Sequence, residues 1–281
     1  MEASTNDNVT NVQPMLLYEC PSFLIIDKPH GMATVPLKKQ AQDGGTKDTL
    51  LGYAASIDHR VLDVVGRNPW EGGAIHRLDI ATAGLVMFAC DQRFYDHMQK
   101  AQDSSWFEKH YTARTQANDA LKGINIEEND AVNSITSYFR PYGVGARQVR
   151  PTLDPRRAEP KVLYTTLFVR HKDTFLCTIE KGFRHQIRSH LAWAGHPIVG
   201  DDIYNIHDTD DEASNPHCTE LQLECVGMSF QDVDGSVRTF MKDGFGANDF
   251  QHGGNFGRWF ARHGFEKHKF AKNNDDGIIG L

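Results

Sequence analysis

An α+β fold, with a mixed, mainly antiparallel sheet and flanking helices and loops, is the class this sequence predicts, on three observations. Short apolar runs of strand length outnumber helical segments. The helices are scattered among them without strict strand-helix alternation, which argues against a parallel α/β sheet. The chain has 281 residues, of which 40% are hydrophobic and 10% aromatic, enough for a substantial core.

Met1 to Pro14 is rich in Asn, Asp, Thr and Glu with no apolar period, so residues 1–14 are predicted to be a disordered tail. Phe23 to Ile26 is a strand ending in Asp27-Lys28-Pro29-His30-Gly31, where Pro and Gly force a turn. Lys38 to Lys47 is polar and contains glycine, which predicts a surface loop. Thr49 to Ser56 is a helix with Leu50, Leu51 and Ala54 on its apolar side. Gly84 to Ala89 is a buried strand, and Gln92 to Ala101 is a helix whose Phe94, Met98 and Ala101 recur at spacings of four and three.

Tyr111 to Thr115 and Ser134 to Phe139 alternate as antiparallel strands do, with an acidic loop, Gly123 to Val132, between them. Leu163 to Val169 and Thr174 to Ile179 form a strand pair around His171-Lys172-Asp173. After Gly182 a helix from Arg184 to Ala194 is ended by Gly195 and Pro197. Ile187, Leu191 and Ala194 mark its core stripe, and Arg184 and Arg188 lie along the edge of that stripe. Leu221 to Phe230 and Ser236 to Phe240 form a closing hairpin. Residues 15–242 thus read as one domain. Residues 243–281, rich in Gly, Phe, His and Asn, read as an extension of unassigned role with a short helix near Trp259 to Arg262.

No run of about 18 apolar residues occurs, and the N-terminus lacks a basic-then-apolar leader, so no membrane span is expected and the cytoplasm is the expected compartment. Five widely spaced cysteines, with no Cys-x-x-Cys, imply neither a disulfide framework nor a zinc finger. The net charge is -7, yet residues 76–200 carry 17 Lys+Arg against 13 Asp+Glu, leaving 13 against 24 elsewhere. A local basic surplus of this kind is compatible with a nucleic-acid partner on an acidic protein.

The chemistry concentrates in three segments. In the first, His76-Arg77-Leu78-Asp79 directly precedes the buried strand. An isolated Asp would read as a turn cap, but one between an Arg and an apolar strand needs a firm cationic partner to stay ionised, the requirement of a carboxylate acting on a sugar carbon. Arg188 is the natural partner, because a guanidinium stays charged when desolvated, and Arg184 competes with it; the sequence places neither against Asp79. Arg77, two residues away, would share the face of Asp79 in a strand-like geometry. In the second segment, Lys109-His110-Tyr111 with Ala113 makes a Lys-x-Tyr-x-Ala pattern in which the ring can stack on a base and the phenol can accept or relay a proton. His76, His185 and His190 read as structural or nucleotide-facing, and no His pair has a third ligand, so no metal site is expected.

Together with Ile26-Asp27-Lys28-Pro29-His30-Gly31-Met32, Phe183 to His190, and Gly195-His196-Pro197-Ile198-Val199-Gly200-Asp201-Asp202-x-Tyr204, these segments resemble the RluA-type RNA pseudouridine synthases from Phe23 to Phe240. The resemblance implies the pseudouridine synthase fold and conversion of uridine to pseudouridine in structured tRNA or rRNA, without cofactor or metal. It implies that Asp79 is the catalytic aspartate, Tyr111 the tyrosine that packs on the base and handles the C5 proton, and Arg188 the cation paired with Asp79. Arg77 would help hold the flipped nucleotide or fill the space it leaves, with His76, Lys109, Arg184 and Ile187 as further substrate contacts. Addition of Asp79 to C1′ and removal of a ribose proton both remain open as routes. The sequence departs from the family at Ile80, Ala81 and Ala83, where Lys, Asp and Ser are favoured, and at Phe183, where Arg is common. No separate N-terminal S4 domain is expected, leaving the RNA to the catalytic domain aided by the segment from Gly244, and a monomer is the expected state. The alternative reading is a catalytically silent RNA-binding paralogue; a nucleoside hydrolase would need a second carboxylate.

Overall fold

The computed structural model describes residues 12–38, 40, 45–116, 132–205 and 220–245. Ten strands form one sheet: β1 (Met15–Glu19), β2 (Phe23–Lys28), β3 (Ala83–Ala89), β4 (Phe107–Arg114), β5 (Asn133–Tyr142), β6 (Gln148–Thr152), β7 (Tyr164–His171), β8 (Thr174–Ile179), β9 (Leu223–Gln231) and β10 (Val237–Met241). Their order is β1-β2-β3-β9-β4-β8-β7-β5-β6, and β10 pairs with β9. Among the named strands only the short contact between β3 and β9 is parallel. Among the described residues, helices α1 (Leu50–Ile57), α2 (Gln92–Asp103) and α3 (Gln186–Trp193) flank the sheet, which gives the mixed, mainly antiparallel α+β architecture.

Local chemistry explains the elements. Every residue of β3 is buried, as a continuous apolar run requires. Thr49 caps α1 by accepting from the Gly52 amide, and Asp91 caps α2 by accepting from the Phe94 amide at 2.8 Å, each cap contributing about 1 kcal/mol. The apolar face of α2 delivers Phe94 onto Phe23, rings stacked 4.7 Å apart, within a cluster that includes Phe107, Phe230 and Phe240.

Several elements differ from expectation. Strand β4 begins at Phe107 because Glu108, Lys109 and His110 are buried together in the sheet, although their polarity reads as loop. Strands β1 and β6 were not expected. Pro151 in β6 donates no hydrogen bond, which the edge position allows. Helix α3 starts at Gln186, since His185 adopts a left-handed conformation (φ 54°) and ends the coil ahead of it. Arg184 is therefore not helical. Lys38 and Gln40 are helical inside the expected 38–47 loop. The expected acidic loop from Gly123, the short helix near Trp259 and most of the two terminal segments lie outside the described residues.

One cross-strand row sets the geometry that follows. Lys28 in β2 pairs with Gly84, Gly84 with Cys225 in β9, Cys225 with Tyr111 in β4, and Tyr111 with Cys177 in β8. Gly84 has a φ of 109°, and a Cβ there would lie 2.1 Å from the Cys225 carbonyl oxygen, so only glycine admits the parallel contact. Strand β9 carries an irregularity beside Tyr111, where Val226 is skipped in the register, and such bulges re-aim neighbouring side chains.

Two buried histidines tie strands together. His110 hydrogen-bonds with Thr178 at 2.9 Å and Ser229 at 3.1 Å, while His190 bonds with Ser137 and Thr166, each at 2.9 Å. Burial pushes both rings, and that of His76, down to about 3, so all three are neutral in the native state.

Two expected outcomes follow from this framework. Gly84→Ala combines a backbone clash with an unfavourable φ and should lower stability by at least about 3 kcal/mol in urea titration; an unchanged midpoint would contradict the close approach. Below the ordinary histidine pKa of about 6.5 the unfolded chain binds protons that the three native rings refuse, so stability falls with falling pH. Glu108, pushed up to about 8 by burial and the nearby Glu180, opposes this between about 4.5 and 8. Net uptake of up to about two protons on unfolding between pH 6.5 and 4.5 should cost as much as about 2.7 kcal/mol per pH unit. Urea midpoints that stay flat or rise over that interval would show the histidines to be protonated in the fold.

Candidate active site

The turn Asp79 to Thr82, closed by the Thr82 amide donating to the Asp79 carbonyl at 3.0 Å, leads directly into β3. It is held by the segment after β2, largely through main-chain oxygens. Lys28, fully buried, donates from Nζ to the carbonyls of Pro29 at 2.9 Å, Met32 at 2.8 Å and Ile80 at 3.2 Å. The Gly31 amide also donates to the Ile80 carbonyl, at 2.9 Å, and His30 Nδ1 lies 2.7 Å from the Ala81 carbonyl oxygen. The Thr34 hydroxyl bridges both backbone groups of Leu78, at 3.0 and 3.1 Å. Residues 80, 81 and 83 thus need no polar side chain, because their neighbours bind the carbonyls of Ile80 and Ala81. Burial pushes the Lys28 ammonium down to about 8, while Asp79 and Asp27 pull it back up.

The Asp79 side chain is 28% exposed, open enough to meet a substrate. Its Oδ2 lies 3.4 Å from Arg188 Nη1 and 3.6 Å from His185 Nε2. Arg188 itself is 3% exposed and is anchored from behind by Asp201. Nε donates to Asp201 Oδ2 at 2.7 Å and Nη2 to Oδ1 at 2.8 Å, a two-point clamp, while Nη2 also approaches Asp202 at 3.4 Å. Burial disfavours the Arg188 charge, but the Asp201 hydrogen bonds and the Asp201 and Asp79 charges outweigh it and hold the guanidinium above its ordinary value. Asp201 is buried, and its Oδ1 also accepts from the Ile203 and Tyr204 amides, at 2.9 and 3.1 Å. The sequence reading quoted Asp201 in a motif but gave it no role; an Asp after Gly reads as a turn residue, and only the fold shows its burial against Arg188.

His185 reaches Asp79 through its left-handed backbone, and its Nδ1 is 3.2 Å from the Tyr204 hydroxyl. That hydroxyl accepts from the Val149 amide at 3.0 Å and donates to the Val149 carbonyl at 3.2 Å, joining β6 to the site. Tyr111 is buried in the central row opposite Cys225, whose thiol contacts the Gly227 carbonyl at 3.6 Å. Burial, then Cys225, then the charge on Asp79 raise the phenol well above its ordinary value, so it is protonated. Burial likewise pushes the Cys225 thiol up to about 12.

The remaining residues fall in different places. Arg77 is on the outer side, 58% exposed, and donates to Glu71 at 2.8 Å. His76 is buried edge-on against Phe107, accepts weakly from the Met87 amide at 3.4 Å and leaves Nδ1 without a partner. Lys109 is buried over the Phe107 ring and donates to the Glu180 carbonyl at 3.0 Å; burial pushes it down to about 8. Ile187 is a core residue. In this structure His76, Lys109 and Ile187 are buried, His76 and Lys109 against the Phe107 ring and Ile187 in the core. Arg184 bonds to the carbonyls of Ala146 and Gln148 rather than sharing a helix face with Arg188. Phe183 stacks on Phe139 at 4.9 Å, taking a packing role. Among the described residues no group of three His, Cys, Asp or Glu is placed to hold a metal, and no helix is long and apolar enough to cross a membrane.

Comparison with known proteins gives this geometry a context. Residues 22–193 match the family described as RNA pseudouridylate synthase. The chain is 29% identical over 191 residues to the RNA pseudouridine synthase YhcT of Bacillus subtilis, covering 67% of this chain and 57% of that protein. It is 29% identical over 192 residues to ribosomal large subunit pseudouridine synthase D of Nitrosomonas europaea, covering 67% and 49%. Against the tRNA pseudouridine(31) synthase of Saccharomyces cerevisiae it is 26% identical over 208 residues, covering 69% and 47%. The chain thus spans about half the length of these relatives. Human RNA Pseudouridylate Synthase Domain Containing 1 shares the fold with a TM-score of 0.57 at 16% identity, 86% of each chain being covered.

The clamp on Arg188 carries its own expected outcome. Asp201→Asn leaves a buried guanidinium short of its main counter-charge and should cost about 3 kcal/mol in urea unfolding. Asp202→Asn, at an exposed position, should cost less than about 0.5 kcal/mol. Equal effects at the two positions would show that Asp201 is not the anchor.

Proposed function

The chain belongs to the RNA pseudouridylate synthase family, of the RluA type, and from that premise we propose that it isomerises uridine to pseudouridine in structured tRNA or rRNA, with residues 15–242 as the catalytic unit and the cytoplasm as its compartment. The observation that carries this reading is the partly open Asp79 carboxylate facing a buried, doubly anchored Arg188. Asp79 is the catalytic group and Arg188 fixes its orientation. The N-glycosidic bond breaks with its electron pair going to uracil, which stays bound as a delocalised anion. A bond from C5 to C1′ then forms, the C5 proton is released and N1 takes a proton up, so atoms and charge balance without a redox partner. In one route Asp79 bonds C1′ transiently; in the other it takes and returns a ribose proton. Each needs one carboxylate, unlike ordinary glycoside hydrolysis, which uses two.

Tyr111 packs on the base and, being protonated, passes the C5 proton on only as it gives up its own, as a relay. Arg77, exposed beside the turn, holds the displaced nucleotide. Both tRNA and ribosomal RNA occur in the names of the relatives, which leaves the choice between them to the experiment. A second reading, RNA binding without conversion, draws on Ile80, Ala81 and Ala83; the main-chain clasp by Lys28, Gly31 and His30 weighs against it, since the turn is held without those side chains.

The test is carbodiimide mapping of pseudouridine in total RNA from cells lacking the gene and complemented with wild type, Asp79→Asn or Asp79→Ala. A site lost on deletion should return with wild type only, and in vitro conversion by Asp79→Asn should fall by at least about 10³-fold while RNA binding persists. Conversion by either variant would overturn the assignment of Asp79.

A further inference from the structure

Strands β5 and β6 form a hairpin whose outer face alternates aromatic and basic residues: Tyr138, Arg140 and Tyr142 on β5, with Arg150 on β6. Arg140 and Arg150 are directly opposite one another in the antiparallel register. Like charges in that position repel, and a fold free of other demands avoids them. Here the repulsion is uncompensated: among the described residues no carboxylate pairs with Arg140, Arg147 or Arg150, whereas Arg60, Arg77, Arg114, Arg156, Arg188 and Arg238 each have one. Instead both guanidinia gather at Tyr142, with Arg150 stacked 3.4 Å from the ring centroid and Arg140 at 5.3 Å. Tyr142 is itself 37% exposed at the hairpin's end.

The hairpin is fastened to the site. Val149, next to Arg150, is held by the hydroxyls of Tyr204 and Ser189, and Tyr204 contacts His185, which faces Asp79. Arg184 and Gln148 add further bonds, to Ala146, Gln148 and Ile203. A ligand gripped on the outer face would therefore be held in a fixed relation to Asp79.

We propose that the Arg140–Tyr142–Arg150 stack is an RNA-holding platform that grips the phosphates and one unstacked base of the strand flanking the target uridine. A guanidinium held flat on an aromatic ring keeps its N–H edge free for phosphate and its outer plane free for a base. Residues 140–161 contain six Lys+Arg and two Asp+Glu, so the platform lies in a basic segment of an acidic chain. The proposal rests on the reading of this protein as one that acts on RNA, and it adds where the RNA is held.

The test uses the full chain in an Asp79→Asn background, so that no turnover occurs, with end-labelled unfractionated tRNA and fragmented ribosomal RNA as probes. Arg140→Ala with Arg150→Ala should weaken binding at least about tenfold at 0.1 M salt and reduce the slope of log K against log salt by about 1.5, the value for two lost phosphate contacts. Tyr142→Ala should weaken binding about fivefold or more, while Tyr142→Phe retains it. Arg60→Ala, whose partner is Asp58, should leave binding unchanged. Urea midpoints of the arginine variants should match or exceed the parent, since a repulsion is removed. Arg150→Gln alone serves as a milder variant should the double substitution fail to fold. Unchanged affinity and slope in folded arginine variants, or no RNA binding by the parent, would overturn the platform. If wild-type protein converts no uridine but the arginine variants lose RNA binding, the platform stands and the catalytic reading falls.

Discussion

The site depends on one close approach, that of Gly84 to the Cys225 backbone. Without a side chain at Gly84, β9 can lie parallel to β3 for two residue pairs and then turn to accept β10 along the same edge. That contact brings Lys28, Gly84, Cys225 and Tyr111 into one row across four strands. Lys28 at one end of the row binds the turn that carries Asp79, and Tyr111 at the other is close enough to feel the charge on Asp79. The turn that carries the carboxylate and the central strand that carries the phenol are thus tied to one cross-strand row by sheet geometry, which is stiffer than a loop.

Electrostatics completes what the sheet begins. Two buried cations, Lys28 and Arg188, flank Asp79, and each has its own reason to be there. Lys28 is spent mainly on carbonyl oxygens, so it fixes the backbone of the turn while contributing charge at a distance. Arg188 is neutralised mainly by Asp201, to which it makes two bonds of 2.7 and 2.8 Å, against one of 3.4 Å to Asp79. On the proposed mechanism, the weaker contact is the one left for chemistry. An Asp79 locked by a short two-point bond would have no lone pair in position to meet a ribose, whereas one facing an arginine already held elsewhere keeps a free edge.

Most of this architecture was legible in the sequence where apolar period and punctuation agree: β3, the α2 stripe of Phe94, Met98 and Ala101, the β7–β8 pair and the closing hairpin. What escaped did so for identifiable reasons. Glu108, Lys109 and His110 hide the start of β4, because a linear reading does not see the groups that receive two of them, Thr178 and Ser229 for His110 and the Glu180 carbonyl for Lys109. The left-handed His185 carries no sequence flag, so the helix seemed to begin early and Arg184 seemed to share a face with Arg188. In the segment from Gly200 to Tyr204 the motif was visible, but the inward turn of Asp201 was not. His76, Lys109 and Ile187 stand beside motif residues in the chain, yet adjacency in sequence does not bring side chains to one face, along strand β4 for Lys109 or helix α3 for Ile187.

The overall charge of -7 looks at odds with an RNA substrate until the arginines are sorted by partner. Those paired with carboxylates contribute little field beyond a few ångströms, since each pair is nearly neutral. Among the described residues Arg140 and Arg150 have no carboxylate partner and stand opposite one another in one hairpin, and their mutual repulsion is the kind of local cost that persists where a ligand relieves it. On that argument net charge is the wrong quantity for judging this protein. The relevant one is unpaired positive charge rigidly attached to the carboxylate site, and it lies on the strand that Tyr204 ties to His185 and thereby to Asp79.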